Sequence, residues 1–366
     1  MPEIVDDRIQ KLKKAVVAIS GGVDSSFAAY FFKQRGIEVI GVFFKLFPEA
    51  SEISPYLPLY RQQQNLERAR KIAKELEITF MEVDVSAAFE REVIRPFIET
   101  YLKGSTPNPC IVCNPGIKFA HLLTLVKETE ADIAATGHYA RIRPSENFFS
   151  LLKAKDRNKD QSYYLYRLTQ SQFKQCFLPN GFFSKDEIKK KMSEIIRGIG
   201  FEDESQEVCF IEKDYRDFLR KVTPKAINPG YFVLKDGTVV GKHDGIAFYT
   251  VGQRKGLGLA LGKKMYVIGI DPENNQIILG EESDLYPDGI LVESLHFIVP
   301  PKSATFICTV KVRYRSPEVK CKVKLLQNGK AEVWFSEKCA FPAPGQSAVF
   351  YDGEEVIGGG IISRWL

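Results

Sequence analysis

The sequence is poor in histidine and tryptophan, with four and two residues respectively among 366, and it holds no long apolar run. No stretch approaches the about 20 apolar residues that span a bilayer, so no membrane segment is expected. The opening residues Met1-Pro-Glu-Ile-Val-Asp-Asp are acidic and carry no apolar core. Neither a secretory signal nor an organelle presequence is therefore expected, and the cytoplasm is the expected compartment. Charge of one sign is also lacking: 51 basic against 46 acidic residues leave +5. That balance admits an RNA partner without requiring one. The seven cysteines, at 110, 113, 176, 209, 308, 321 and 339, are an odd number in a long chain. This argues against a disulfide framework and for free, metal-binding or catalytic thiols.

What is present is a soluble, globular composition, 44% hydrophobic and 27% charged. The length calls for more than one domain, since single cores rarely grow beyond about 250–300 residues. The most telling segment is Ala15-Val-Val-Ala18-Ile19-Ser20-Gly21-Gly22-Val23-Asp24-Ser25-Ser26. A β-branched run reads as a buried parallel strand, and it stops at a glycine turn that leads into a helix-like stretch. Glycines permit close backbone approach, and the amides of such a turn favour an anion. Ser20, Ser25 and Ser26 add hydroxyls, and Asp24 could hold the metal that accompanies a polyphosphate. No Lys follows in the G-x4-G-K-[ST] pattern, and G-x-G-x-x-G is absent, so this is neither a Walker A loop nor a dinucleotide fingerprint. The string resembles the PP-loop of ATP pyrophosphatases, which adenylate a substrate oxygen and release pyrophosphate.

Strand and helix signals then alternate. Helices are expected over 27–34, 63–77, 120–128 and 184–197, the last with Ser184 and Glu187 as a capping box. Strands are expected over 38–44, 78–83 and 132–136, giving a Rossmann-like parallel sheet whose ligands collect at strand ends near the glycine loop, Phe44 and Gly137. Beyond about Arg220 short alternating runs take over, with Gly and Pro between them. They predict a small β-rich central module and then a C-terminal β-barrel, with strands over 304–313, 319–325, 331–335 and 347–351. The expected domains are 1–219, 220–287 and 288–366.

Thr106-Pro-Asn108-Pro109-Cys110-Ile-Val-Cys113-Asn114 sets a C-x-x-C in what reads as a proline-stiffened loop. Such a pair suits half a zinc site, a redox dithiol or two ligands of an iron–sulfur cluster. No second closely spaced Cys/His pair supports zinc. Cys209, in Glu204-Ser-Gln-Glu-Val-Cys209-Phe-Ile211, is the third candidate thiol.

In combination these segments resemble the tRNA-specific 2-thiouridylase family over nearly the full length. The matching segments are Ser20–Ser25, Asn108–Asn114 with Ile117-Lys118-Phe119, Ala135–Arg141, Lys159–Leu165, Ser205–Ile211, Gly241–Gly245, Tyr249–Gly258, Arg313–Pro317, Pro344–Gln346 and Gly358–Gly360. The resemblance implies a three-domain enzyme that replaces the 2-oxygen of the wobble uridine of tRNA with sulfur. ATP with Mg²⁺ would activate the oxygen on Ala18, Ile19, Ser20, Gly21, Gly22, Val23, Asp24, Ser25, Phe44 and Gly137. A persulfide on Cys209 would deliver sulfur, with Cys113 as the second thiol and a Cys113–Cys209 disulfide as the outcome. Asn108, Pro109 and Cys110 would face the flipped base. Lys159, Asp160 and Gln161 would meet the anticodon stem-loop, and Arg313 and Tyr314 the RNA from the barrel. A cysteine desulfurase or sulfur relay protein would donate sulfur. The chain departs from many members at Cys110, where they carry Asp. That leaves open a rival in which Cys110, Cys113 and Cys209 ligate a 4Fe-4S cluster. Another PP-loop ligase is the remaining alternative.

Overall fold

The computed structural model describes residues 7–196, 208–339 and 341–366. Arg197 and residues 204–207, which the sequence reading included, lie outside the described residues. The chain divides into two compact units. The first comprises Met1–Val93, Cys110–Phe210 and Glu354–Val356, and the second Ile94–Pro109, Ile211–Gly353 and Ile357–Leu366.

The first unit is built on β1 (Lys14–Ala18), β2 (Glu38–Lys45), β3 (Thr79–Asp84) and β4 (Ile133–Ala135). The hairpin β5 (Ala140–Pro144) and β6 (Phe149–Lys153) and the short β7 (Cys176–Phe177) complete its strands. The sheet is parallel throughout, in the order β3-β2-β1-β4-β7. Its apolar runs are buried because helices cover both faces. Phe27, Phe31 and Phe32 of the helix Val23–Lys33 pack with Ile188 and Met192 of the helix Lys185–Ile195 in one core. This is the expected Rossmann-like arrangement, and β1 delivers the glycine turn to the carboxyl edge of the sheet.

The second unit holds β8 (Gly230–Leu234), β9 (Val239–His243), β10 (Tyr266–Asp271) and β11 (Gln276–Gly280) in a sheet of order β10-β11-β8-β9. It also holds β12 (Gly289–Phe297), β13 (Thr305–Lys311), β14 (Val319–Leu325), β15 (Ala331–Phe335), β16 (Ser347–Asp352) and most of β17 (Glu355–Trp365). These six run β12-β15-β14-β13-β16-β17, and β12 pairs with β17, which closes a barrel. Alternation on β14 puts Val319, Cys321 and Val323 inside and Lys320, Lys322 and Lys324 outside. The α/β domain, the β-rich central module and the terminal barrel all stand as expected.

One local expectation is corrected. Cys110 and Cys113 are not in a loop. Pro109–Cys113 is helical, and helical structure continues to Glu128. Pro109 supplies a fixed φ at the first helical position, where a missing N–H costs nothing. The 20-residue stretch Pro109–Glu128 has the length and mean hydropathy of a membrane span, but half of its apolar window is buried inside the fold, as in a core helix.

Candidate active site

Two groups of side chains in the first unit form the candidate site: the turn after β1 with its supports, and the thiols around Lys118.

The turn is locked by its own serines. Ser25 Oγ donates to the Gly22 carbonyl (3.0 Å) and accepts from the Ser20 amide (3.0 Å), and Ser26 Oγ donates to the same carbonyl (2.8 Å). Gly21 has φ +82°, and a Cβ there would meet the Asn65 carbonyl oxygen at 2.6 Å. Gly137, just past β4, packs against the start of the helix Val23–Lys33: a Cβ would lie 2.7 Å from the carbonyl carbon of Asp24 and the amide nitrogen of Ser25. Asn180 Nδ2 donates to the carbonyls of Asp24 (3.0 Å) and Gly137 (3.1 Å), tying the two segments together. Ile19 and Val23 are buried on either side of the turn, and Ala18 is half-buried at the end of β1. Phe44 sits near the end of β2 with its ring 6.4 Å from that of His121. The carboxylate of Asp24 accepts from Tyr139 Oη (2.6 Å) and is bracketed by Lys185 Nζ, 2.7 Å from each oxygen.

The thiol group lies around the turn Asn114–Phe119, which is wound as a π-helix. Cys113 is buried, Cys110 half-buried and Cys209 exposed. Burial raises the Cys110 and Cys113 thiols, Cys113 to about 11. Cys209 is exposed as a residue, yet neighbouring protein crowds its thiol. The crowding, followed by repulsion from Cys113 and Cys110, pushes it up to about 12. All three are therefore protonated at neutral pH in the free chain. Lys118 feels burial pulling it down, but the three thiols together hold it above the ordinary lysine value. Among the described residues it has no carboxylate partner. His138 is held down at about 3 by burial and by the Lys118 charge, so its imidazole is neutral, with Nδ1 2.7 Å from Thr136 Oγ1 and its ring stacked on Phe119.

No group of three Cys, His, Asp or Glu side chains among the described residues is gathered closely enough to hold a metal ion, the three thiols included. Thiols are the right donors for an iron–sulfur cluster, but in this arrangement the three are not gathered as its ligands.

The residues assigned to RNA divide. Asp160 is buried and accepts from the Ala154 amide (2.9 Å) and Ser162 Oγ (2.8 Å). Gln161 Oε1 accepts from the Tyr139 amide (3.0 Å). Asp160 thus holds its own turn to Ala154, and Gln161 holds the backbone at Tyr139. Lys159 and Asn108 are half-buried, and Pro109 is buried. In the second unit Arg313 Nη2 donates to the Val251 carbonyl (2.8 Å), which ties the barrel to the central module, and Lys311 Nζ lies 5.9 Å from the Tyr314 ring centre. Arg254 and Lys255 are exposed, and Arg254 lines a cavity of about 480 Å³ with Leu257, Leu259, Lys263 and Lys264. Asn180 and Lys185 were not singled out from the sequence, and Tyr139 and Lys118 stood within matching segments without a role of their own. The signals available were the Tyr within Ala135–Arg141 and the Lys directly after the capping Ser184.

A parallel sheet with a glycine turn at its carboxyl edge, followed by two β modules, defines a nucleotide-binding α/β enzyme with accessory barrels. Three family profiles match the chain in turn: a tRNA methyl transferase HUP domain over 13–213, a tRNA methyl transferase PRC-barrel domain over 216–281 and an aminomethyltransferase beta-barrel domain over 287–362. The tRNA-specific 2-thiouridylase MnmA of Clostridium perfringens is 40% identical over 97% of this chain and 99% of its own. That of Acetivibrio thermocellus is 41% identical over 96% and 99%. Among solved structures, a 4-thiouridine synthetase–RNA complex with bound ATP is 17% identical, with a TM-score of 0.33 over 58% of this chain and 51% of that one. The chain belongs to the tRNA-specific 2-thiouridylase family.

Proposed function

We propose that this enzyme uses ATP to replace the 2-oxygen of the wobble uridine of tRNA with sulfur, working in the cytoplasm with three domains, 1–219, 220–287 and 288–366. A uracil carbonyl oxygen is a poor leaving group. Transfer of AMP to it makes a phosphate-linked leaving group and releases pyrophosphate. The amides of Gly21–Ser25 favour that pyrophosphate. The Asp24 carboxylate, with the neighbouring serine hydroxyls, is an oxygen donor set suited to Mg²⁺, which would offset charge on the phosphates.

Sulfur then has to arrive as a nucleophile. With thiols at about 11 and about 12, neither Cys113 nor Cys209 is a thiolate at neutral pH. A persulfide on Cys209 is more acidic than a thiol, and the Lys118 ammonium favours its anion. Its terminal sulfur attacks C2 of the activated base, and AMP departs. Cys113 then attacks the Cys209 sulfur, which breaks the bond to the transferred sulfur, frees thiouridine and leaves a Cys113–Cys209 disulfide for an external dithiol to reduce. The observation that carries this reading is the pairing of an exposed Cys209, open to a sulfur-donor protein, with a buried Cys113 inside the same electrostatic group. Asn108, Pro109 and Cys110 are the residues assigned to the flipped base. The uridine must leave its stack to be reached, and exposed basic groups such as Lys255 hold the RNA backbone. The test is stoichiometry: with tRNA, ATP and a persulfide donor, AMP, pyrophosphate and 2-thiouridine should form in equal amounts. AMP and pyrophosphate without thiouridine would point to another PP-loop ligase.

A further inference from the structure

Lys185 is the first residue of the helix Lys185–Ile195, and its backbone is fixed from three sides. Ser184 and Glu187 form a reciprocal capping box, and the Lys185 amide donates to Asp156 Oδ2 (3.0 Å). The side chain turns inward and is only 6% exposed. A buried ammonium needs an anion, and this one has taken Asp24, with both carboxylate oxygens at 2.7 Å. Tyr139 Oη donates to the same carboxylate, and the Lys185 ammonium lies 5.8 Å from the Tyr139 ring centre.

Asp24 is the one carboxylate within Ser20–Ser26, so it is the group this segment can offer a metal. In the arrangement described it is neutralised, and both its oxygens already accept hydrogen bonds. A cation bound there must displace the ammonium. The Lys185 main chain cannot follow, because the cap holds it, but its four-carbon stem is flexible. The anion nearest to a displaced ammonium is the polyphosphate that brings the metal.

We propose that Lys185 is a polyphosphate ligand kept in reserve on Asp24: when Mg²⁺ and ATP bind, Asp24 turns to the metal and the Lys185 ammonium turns to the β- and γ-phosphates. Charges stay paired before and after the exchange. On release of magnesium pyrophosphate the ion pair re-forms and closes the empty site. The proposal rests on the adenylation reading above and adds a residue to it.

The test is calorimetric titration of the full chain, without tRNA, using a non-hydrolysable ATP analogue, pyrophosphate and AMP, each with Mg²⁺. In Lys185→Met both polyphosphates should bind at least about tenfold more weakly, equivalent to about 1.4 kcal/mol, while AMP affinity holds. Lys185→Arg should restore most of the loss. Unchanged polyphosphate affinity, or an equal loss for AMP, overturns the proposal. If the Met variant does not fold, Asp24→Asn decides: freed Lys185 should bind pyrophosphate without metal at least as well as wild type, and Mg²⁺ should no longer improve it. A Mg²⁺ enhancement as large as in wild type overturns the exchange. A wild-type chain that binds none of the three probes removes the adenylation reading itself, whereas binding that ignores Lys185 removes this proposal alone.

Discussion

Gly137→Ala probes how tightly the strand end after β4 is pressed onto the nucleotide turn. The added Cβ would sit 2.7 Å from the Asp24 carbonyl carbon and the Ser25 nitrogen and 2.8 Å from the Asp24 oxygen. It would fall about 0.7 Å short of ordinary contact in a close-packed interior. All three are backbone atoms, so no side chain can swing away. The helix start must retreat, which costs about 1–3 kcal/mol as overpacking. Asn180 can no longer span both carbonyls at 3.0 and 3.1 Å. Each weakened bond adds about 0.5–1.5 kcal/mol. A total of about 2–6 kcal/mol corresponds to a melting temperature lower by about 4–24 °C for a unit of this size. A shift of the turn by a sizeable fraction of an ångström should also lower pyrophosphate release by up to about 100-fold. Gly22→Ala is the matched control. Its φ of −91° suits any residue, and the added Cβ meets only Ser20 Oγ at 3.6 Å. Stability should change by less than about 1 kcal/mol. Adenylation should still fall, because the methyl group intrudes where phosphate must approach the amides. Thermal melts and pyrophosphate release on both variants check this. A Gly137→Ala protein that melts and turns over like wild type would refute the reasoning.

Two further outcomes follow from the electrostatics. His138 titrates at about 3 in the folded chain and near 6.5 unfolded. Between those values only the unfolded chain takes the proton, so stability should fall as pH drops from about 6.5, at up to about 1.4 kcal/mol per pH unit. Denaturant melts from pH 6.5 to 5, above the carboxylate range, should show a flatter slope in His138→Gln; equal slopes would show that His138 is not the group. On the RNA side, Lys255→Ala should weaken tRNA binding and reduce the log–log salt slope by about one unit, with the melting temperature unchanged. Arg313→Ala should instead lower the melting temperature, because its guanidinium is bonded to the Val251 carbonyl. Filter binding at several salt concentrations, beside melts, separates the two.

Much of the fold was legible because its signals are local. The apolar runs at 38–44 and 319–325 became β2 and β14, and Ser184 with Glu187 formed the expected capping box. β7 was not legible, since two residues carry no periodicity, and neither was β17, whose Gly358–Gly360 run hides a strand that closes the barrel against β12. The helix under Cys110 and Cys113 was missed because proline reads as a loop former, although at a first helical position it favours the helix. The glycine turn and the thiols were legible as residue types at characteristic spacing. Their supports were not: Lys185 and Asn180 reach Asp24 from more than 150 positions away, and the pattern of a single sequence carries no trace of that approach.

The central claim is that sulfur reaches the uridine through Cys209. A single turnover in an iron-free preparation, with tRNA, ATP and a persulfide donor, tests it most directly. Mass analysis should show the peptide bearing Cys209 one sulfur atom heavier before tRNA is added. One equivalent each of 2-thiouridine, AMP and pyrophosphate, and a Cys113–Cys209 disulfide, should follow. Thiouridine formed while Cys209 stays unmodified, or activity that returns only with iron, would contradict the account.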